Sequence, residues 1–174
     1  MYKNLETERL KIRPINLTDS KFIIELVNSE GWLKFIGNRN ISNNDDAEKY
    51  IQKILDSPNT YYSVFHLKTT KEPLGLVTLL NRTDQTFPDI GFALLPEYEK
   101  KGYTLEASRK YLDEIIISDR YENIIATTIP ENQKSVKLLM KLGLDYESDY
   151  VGDKGTLSVF SLSAGKISKQ VSKN

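Results

Sequence analysis

Three strand-like runs in the middle of the chain lead directly into a long helical segment, and this order constrains the fold most strongly. The runs cover residues 61–67, 74–80 and 90–95, and short polar segments join them. Such short connections predict an antiparallel meander. Residues 102–117 carry apolar side chains at helical spacing, and 124–129 are again rich in β-branched residues. Because strand, helix and strand then follow in succession, we expect a βαβ crossover and a mixed sheet with helices on both faces.

The N-terminal third adds one strand and two helices to this plan. Apolar residues at 10, 12 and 14 alternate with charged ones and predict an opening strand that ends at Pro14. Thr18-Asp19 is expected to cap a first helix, and Asn44-Asp45-Asp46 to begin a second one. Between them, residues 32–37 are compatible with either a short helix or a turn.

The C-terminal third predicts a helix followed by two strands. The helical face that includes Leu139 ends on Gly143, a residue suited to the C′ position. Strands are expected at 146–150 and 157–162. Residues 163–174 are rich in Ser and Lys and have little to bury, so we predict one domain over 1–162 and a mobile tail beyond it.

Composition excludes several classes of site. The chain contains no cysteine and one histidine, His66. This composition excludes a thiolate metal site, a cysteine nucleophile and a metal site built from several histidines. The formal net charge is zero, which gives no reason to expect nucleic acid or an anionic membrane as a partner. The N-terminal residues lack an apolar signal segment, and we expect a cytoplasmic protein.

The junction between the third central strand and the long helix has features of an anion site. It places Lys100 and Lys101 directly before Gly102, at the helix start. The first N–H groups of a helix have no backbone acceptor and carry partial positive charge, and glycine lets a ligand approach the backbone. This pattern can form a pyrophosphate cradle. Taken alone, such a pattern is more often an ordinary helix start.

The amino-acid sequence of this junction resembles the acetyl-CoA motif of the GNAT acetyltransferase superfamily, and in particular of its branch of ribosomal-protein N-acetyltransferases. Four stretches, of which this junction is one, carry the resemblance over about residues 5–162. They are Asp89-Ile90-Gly91-Phe92 with Pro96-Glu97-Tyr98, Gly102-Tyr103 and Glu106-Ala107; Leu5-Glu6-Thr7-Glu8-Arg9-Leu10; Asp45-Asp46-Ala47-Glu48; and Glu131-Asn132-Gln133-Lys134-Ser135 with Lys141-Leu142-Gly143.

The resemblance implies a single GNAT-like domain whose parallel βαβ strands splay apart at a site for acetyl-CoA, with no metal. It places the cofactor-binding residues on the third central strand, on the following loop and before the last helix: Phe92, Ala93, Leu94, Lys100, Lys101, Gly102, Tyr103, Thr104 and Asn132. Two positions depart from the superfamily's pattern. Glu99 stands where the phosphate loop usually begins with Gln or Arg, and Thr104 where it usually ends with Gly or Ala. Lys100 and Lys101 are expected to offset the charge of Glu99.

Acetyl transfer to an amine requires a base for the amine, a donor for the developing oxyanion and a proton or positive field for the leaving thiolate. Asp89 is the candidate base, and a solvated or turn-capping role for it is equally compatible with the sequence. The backbone N–H of Ala93 is the candidate oxyanion donor. Ser135 is the candidate acid, because Leu139 occupies the position at which many relatives carry a tyrosine. Asn132 either caps the last helix or hydrogen-bonds the cofactor.

Three functional hypotheses follow. The leading one is an acetyl-CoA-dependent N-acetyltransferase, monomeric or homodimeric, whose acceptor is the α-amine of a protein N-terminus or a small-molecule amine. A second is a non-catalytic acyl-CoA-binding regulatory module. A third is an α/β interaction domain with no CoA site.

Overall fold

The computed structural model describes residues 3–83, 85–117, 121–152 and 155–163. Within these ranges the strands are β1 (Leu5–Glu6), β2 (Leu10–Pro14), β3 (Thr60–Leu67), β4 (Pro73–Leu80), β5 (Asp89–Leu94), β6 (Asn123–Thr128), β7 (Asp145–Gly152) and β8 (Gly155–Ser163). The helices are α1 (Ser20–Val27), α2 (Glu30–Phe35), α3 (Asn44–Leu55), α4 (Tyr103–Ile117) and α5 (Gln133–Leu142). Short 3₁₀ turns at Leu17–Asp19 and Pro96–Tyr98 precede α1 and the loop to α4.

The strands form one sheet in the order β1-β2-β3-β4-β5-β6-β8-β7. In the described residues every neighbouring pair is antiparallel except β5 and β6, which are parallel and are joined by α4. The predicted mixed, mostly antiparallel fold with one βαβ unit is therefore confirmed. The short strand β1 and the helix identity of residues 30–35 are additions that the periodicity of the sequence did not resolve.

Two hydrophobic clusters sandwich the sheet. One packs α4 and α5 against one face, and the other packs α1, α2 and α3 against the opposite face. The alternation of side chains along a strand assigns each residue to a face. On β3, Val64 belongs to the cluster under α1 to α3, while its neighbour Phe65 belongs to the cluster under α4. Because helices cover both faces of the sheet, the candidate functional groups lie along the strand edges and at the ends of β5 and β6.

Local capping agrees with the sequence at one end of the chain and differs at the other. Gly143 has φ +94° and ends α5, as predicted. Asp19 occupies the N-cap position of α1, as predicted, but its side chain makes no cap hydrogen bond to that helix. The side-chain cap is Asn16, which begins the preceding 3₁₀ turn and accepts from the backbone N–H of Thr18 at 2.9 Å. The Asp19 carboxylate instead completes a capping box by accepting the backbone N–H of Asn16 at 2.9 Å, and it also pairs with the guanidinium of Arg13 at 2.6 Å.

The predicted tail lies outside the described residues, apart from Ser163, which ends β8. Among the helices of the described part of the chain, none is both long and apolar enough to cross a bilayer.

Candidate active site

Strands β5 and β6 pair near their beginnings and then separate. Asp89 is the register partner of Ile125, and the N–H of Ile125 donates to Pro88 O at 2.9 Å. No further register pair joins the two strands in the described sheet. Because the strands are parallel, the gap between them opens toward their carboxyl ends, where the loops to α4 and α5 begin. We call this gap the splay, and its vertex lies at Asp89 and Ile125.

The edge of β5 presents a defined set of backbone groups to the splay. In an antiparallel pair, consecutive residues direct their backbone groups alternately toward and away from the partner strand. The N–H of Leu95 bonds to β4 at 2.9 Å, and a Cβ built on Gly75 of β4 would lie 2.2 Å from Ala93 O. Odd-numbered residues therefore bond β4, and Phe92 and Leu94 direct their N–H and C=O groups into the splay. This alternation moves the expected oxyanion donor from Ala93 to its two neighbours.

The side chain of Asp89 fills the vertex. It is 7% exposed, and its Oδ2 accepts hydrogen bonds from Arg82 Nε at 3.2 Å and from Thr127 Oγ1 at 3.4 Å. Thr127 also contributes a backbone hydrogen bond. Burial raises the pKa of the Asp89 carboxyl above its ordinary value, and the contacts with Arg82 and Thr127 oppose that rise without cancelling it. A carboxylate with a raised pKa is a stronger proton acceptor than an exposed one.

The face of the sheet beside Asp89 has an aromatic wall. Gly91 projects to the same face as Asp89, and a Cβ built on it would lie 2.7 Å from Thr78 Oγ1. Tyr62 is the register partner of Thr78, and its ring packs edge to face on Tyr50 with centroids 6.5 Å apart. Burial raises the pKa of the Tyr62 phenol, so it stays neutral in the physiological range. The aromatic wall and the backbone edge of β5 therefore both lie on the side of the sheet or the strand that adjoins the vertex.

The loop between β5 and α4 has a backbone conformation suited to anions. Lys100 has φ +62° and Gly102 has φ +79°, and left-handed residues alternating with others gather successive N–H groups on one side. The first helical bond at this end runs from Glu106 N–H to Gly102 O at 3.1 Å. The N–H groups of residues 100–105 have no protein acceptor among the described residues. We call this segment, 99–104, the phosphate loop.

A cluster around Arg9 lies against the phosphate loop, and the sequence interpretation missed it. Arg9 donates through Nη1 to Lys101 O at 3.0 Å and through Nε to Glu106 Oε2 at 2.7 Å. Its guanidinium lies over the ring of Tyr103, 4.6 Å from the centroid. Thr7 Oγ1 also donates to Glu106. The signal that could have found this cluster is the Thr7-x-Arg9 spacing before the opening strand, which lay in the stretch that carried the family resemblance.

Glu99 has a partner on α5 rather than in its own loop. Lys134 Nζ lies 2.6 Å from Glu99 Oε2 and forms an ion pair between the phosphate loop and the first turn of α5. Lys101, one of the two lysines expected to offset this charge, instead has its Nζ 5.3 Å from the ring centroid of Tyr98. The negative charge of Glu99, which departs from the superfamily's pattern, is therefore paired with the Lys134 ammonium at the start of α5.

The first turn of α5 places the candidate acid beside the splay. Asn132 is the cap of this helix, because its Oδ1 accepts from the N–H of Ser135 at 3.2 Å. Ser135 is half-buried in the same turn. Leu139 is 1% exposed and belongs to the core under α4 and α5, so it has no polar group to offer.

Two other residues with reactive or aromatic side chains serve the fold. Trp32 is buried in the cluster under α1 to α3 and donates its indole N–H to Gly37 O at 3.1 Å. His66 lies next to a bulge in β3, at the end of the sheet opposite Asp89, and its Nδ1 is 3.1 Å from Leu67 O. Neither lies at the vertex, which Asp89 occupies.

Comparison with known proteins agrees with this geometry. Residues 9–145 match the family model described as an acetyltransferase (GNAT) domain. The chain is 29% identical over 164 residues to the uncharacterized N-acetyltransferase p20 of Bacillus licheniformis, covering 89% of this chain and 91% of that protein.

Solved structures share the fold. The ribosomal-protein-S5-alanine acetyltransferase from Vibrio fischeri superposes with a TM-score of 0.80 at 21% identity, covering 93% of this chain and 97% of that one. The spermidine N-acetyltransferase from Vibrio cholerae, in complex with CoA and spermine, superposes with a TM-score of 0.78 at 20% identity, covering 92% and 98%. The family model spans most of the sequence and includes the vertex, the phosphate loop and α5, and the chain therefore belongs to the GNAT family of acetyltransferases.

Proposed function

We propose that this chain transfers the acetyl group of acetyl-CoA to a primary amine. The observation that carries this proposal is the splay, whose free β5 edge leads to the unbonded N–H groups of the phosphate loop. An extended ligand can hydrogen-bond to a free strand edge as an added strand would. The edge from residue 90 to 94 spans roughly 13 Å at about 3.3 Å per residue. Beyond the end of this edge, the partly positive N–H groups of the phosphate loop are suited to bind a pyrophosphate.

In this proposal the backbone of residues 92–94 holds the pantetheine arm, and residues 100–104 hold the pyrophosphate. Ala93 contributes its position on the strand, while Phe92 and Leu94 contribute the hydrogen bonds. Asn132 keeps its Oδ1 on the cap of α5, so only its Nδ2 is available to the cofactor. Acetyl-CoA supplies the acetyl thioester that the amine attacks directly.

The residues of the chain then divide the proton transfers between the two sides of the splay. Asp89 accepts a proton from the incoming amine, through water, because its carboxylate is buried and its pKa is raised. The N–H of Phe92, the first free donor beyond the vertex, stabilises the negative charge on the carbonyl oxygen. Ser135 relays a proton to the sulfur from the first turn of α5.

The acceptor in this proposal is a protein N-terminal α-amine or a small-molecule amine. Two solved structures with the same fold support these two acceptor classes. One is named a ribosomal-protein-S5-alanine acetyltransferase, and the other is a spermidine N-acetyltransferase in complex with CoA and spermine. The cytoplasmic location and the monomeric or homodimeric state expected from the sequence belong to the same proposal.

The alternative, a CoA-binding module without turnover, is favoured by one observation. Leu139 is apolar and buried where many relatives carry a tyrosine, so α5 contributes no strong acid. The experiment that separates the two hypotheses combines ligand binding with product detection. The purified protein is incubated with acetyl-CoA and a panel of peptides and small amines, and acetylated product is measured by mass spectrometry.

Under the proposal, at least one amine is acetylated and CoA raises the melting temperature, because it binds the folded state selectively. A melting shift without any product across the panel would support the binding module instead. The absence of a shift at near-millimolar CoA would reject both and leave an interaction domain.

A further inference from the structure

Arg9 fixes the orientation of one peptide group in the phosphate loop. Its Nη1 donates to Lys101 O at 3.0 Å from the segment that precedes β2. The C=O and N–H of a planar trans peptide point in opposite directions. With Lys101 O held by Arg9, the N–H of Gly102 must point away from Arg9.

The guanidinium of Arg9 is itself held rigidly. Glu106 Oε2 lies 2.7 Å from Arg9 Nε and 2.6 Å from Arg9 Nη2, and Glu106 Oε1 accepts the backbone N–H of Arg9 at 3.0 Å. The ring of Tyr103 lies against the guanidinium plane on another side. A planar fork with five donors can satisfy this carboxylate and Lys101 O together, which a single ammonium group cannot do.

Arg9 also cancels a negative charge beneath the cradle. The side chain of Glu106 is 19% exposed and lies in the first turn of α4. Burial acts to raise the pKa of this carboxyl, but hydrogen bonds from Thr7 and Arg9 outweigh it and lower the pKa, so Glu106 is ionised. An ionised carboxylate this close to the phosphate loop would repel a pyrophosphate if no cation were paired with it.

We propose that Arg9 is a positioning residue for pyrophosphate binding: it orients the Lys101–Gly102 peptide and neutralises Glu106 under the phosphate loop. The inference rests on the proposed function, because it assumes that the loop receives the pyrophosphate of CoA. It predicts that Arg9 matters for donors that contain a pyrophosphate and not for donors that lack one.

The test compares Arg9→Gln with Arg9→Lys and with the matched control Lys3→Gln. Lys3 also joins the N-terminal segment to α4, through an ion pair of 3.3 Å with Glu114, but it lies away from the loop. The dissociation constant of CoA is measured by calorimetry, and kcat/KM is measured with S-acetylpantetheine, which lacks the pyrophosphate. Circular dichroism and unliganded melting report the fold of each variant.

For Arg9→Gln we expect about a tenfold increase in the dissociation constant of CoA, from the loss of charge-assisted hydrogen bonds. The kcat/KM for S-acetylpantetheine should remain at the wild-type value, and Lys3→Gln should match wild type in both measurements. Arg9→Lys keeps the positive charge but loses the planar fork of donors, so it should show most of the increase in the dissociation constant of CoA. If Arg9→Gln does not fold, Arg9→Lys carries the test.

Three outcomes would overturn the positioning role. They are an unchanged CoA dissociation constant in the Arg9 variants, an equal loss with both donors, and full recovery in Arg9→Lys. All three leave the proposed function standing, because wild type still binds CoA. If wild type itself fails to bind CoA, the proposed function falls and this inference falls with it.

Discussion

Replacing Asp89 with asparagine tests the centre of the proposed chemistry with little change in shape. Asparagine keeps an oxygen that can accept from Thr127, but it cannot take a proton from an amine. Loss of a single general base typically costs about 10²–10⁴-fold in rate. We expect the lower part of this range, because the buried carboxylate acts through water. The CoA dissociation constant should stay near wild type, since Asp89 lies at the vertex and not on the phosphate loop.

The pH dependence gives this prediction a direction. Below the raised pKa of Asp89 the carboxyl is protonated, so kcat/KM of wild type should fall as the pH decreases through that pKa. Asp89→Asn should lose this acidic limb. Its deficit should also shrink at high pH, where a larger fraction of the free amine is already deprotonated, since the ordinary pKa is about 8 for an α-amine and about 10 for a lysine-like amine.

Stability should move in the opposite direction from activity. A carboxyl whose pKa is higher in the folded state favours folding below its unfolded pKa, and this contribution is lost as the pH rises through the folded pKa. At neutral pH wild type therefore carries the cost of a buried charge that is only partly compensated by Arg82. Asp89→Asn should melt at the same temperature as wild type or higher at pH 7, with the difference narrowing toward pH 5.

Asp113→Asn is the matched control for these measurements. Burial also raises the pKa of Asp113, although Arg109 and Lys110 oppose the rise, and this residue lies on α4 rather than at the vertex. The control should keep wild-type kcat/KM. The reasoning is refuted if Asp89→Asn keeps neutral-pH activity within about threefold of wild type, well short of the loss expected for a general base.

Three further substitutions test the surroundings of the vertex. Arg82→Gln removes the cation that lowers the pKa of Asp89, so the acidic limb of the kcat/KM profile should shift to higher pH. Gly75→Ala places a Cβ 2.2 Å from Ala93 O, and such overpacking should lower the free energy of unfolding by about 1–3 kcal/mol in urea titration. Ser135→Ala should slow transfer by about 10²-fold or less, because a thiol with a pKa near 8.5 leaves without much help.

Controls and contrary outcomes are available for each of these variants. Gly31→Ala adds a methyl group that meets no atom within 4 Å, so it should not destabilise the fold as Gly75→Ala does. An unmoved acidic limb in Arg82→Gln would show that another group controls the profile. A loss of several thousand-fold in Ser135→Ala, accompanied by weaker CoA binding, would indicate a displaced cofactor rather than a missing proton relay.

The fold was largely predictable because its signals are local. Alternation over a few residues marks a strand, a 3.6-residue spacing marks a helix, and short polar connections join neighbouring strands. These signals gave the meander, the βαβ unit and the helix end at Gly143. They did not predict that the Asp19 side chain binds the backbone N–H of Asn16 and the guanidinium of Arg13 rather than the first turn of α1.

The candidate site was predictable as a region and not as a set of interactions. The order of strand, loop and helix predicted a phosphate loop before α4 and a cofactor-binding edge on β5, and both stay predictions. The direction of each backbone N–H on β5 follows from the register with β4, and a shift of one residue would exchange Ala93 for Phe92. Register is a property of the assembled sheet, so the sequence alone could not decide whether the backbone N–H of Ala93 or that of Phe92 faces the gap between β5 and β6.

The sequence by itself determined the family and most of the strands and helices, although β1 and the helix at residues 30–35 came only from the structure. Only the tertiary structure decided which charges meet at the phosphate loop. Arg9 and Glu106 are 97 positions apart, and Glu99 and Lys134 are 35 apart, yet each pair is in direct contact. Periodicity carries information over one or two turns of a helix, whereas such pairs exist only after the sheet and helices have packed. The electrostatics of the phosphate loop therefore belong to the fold as a whole.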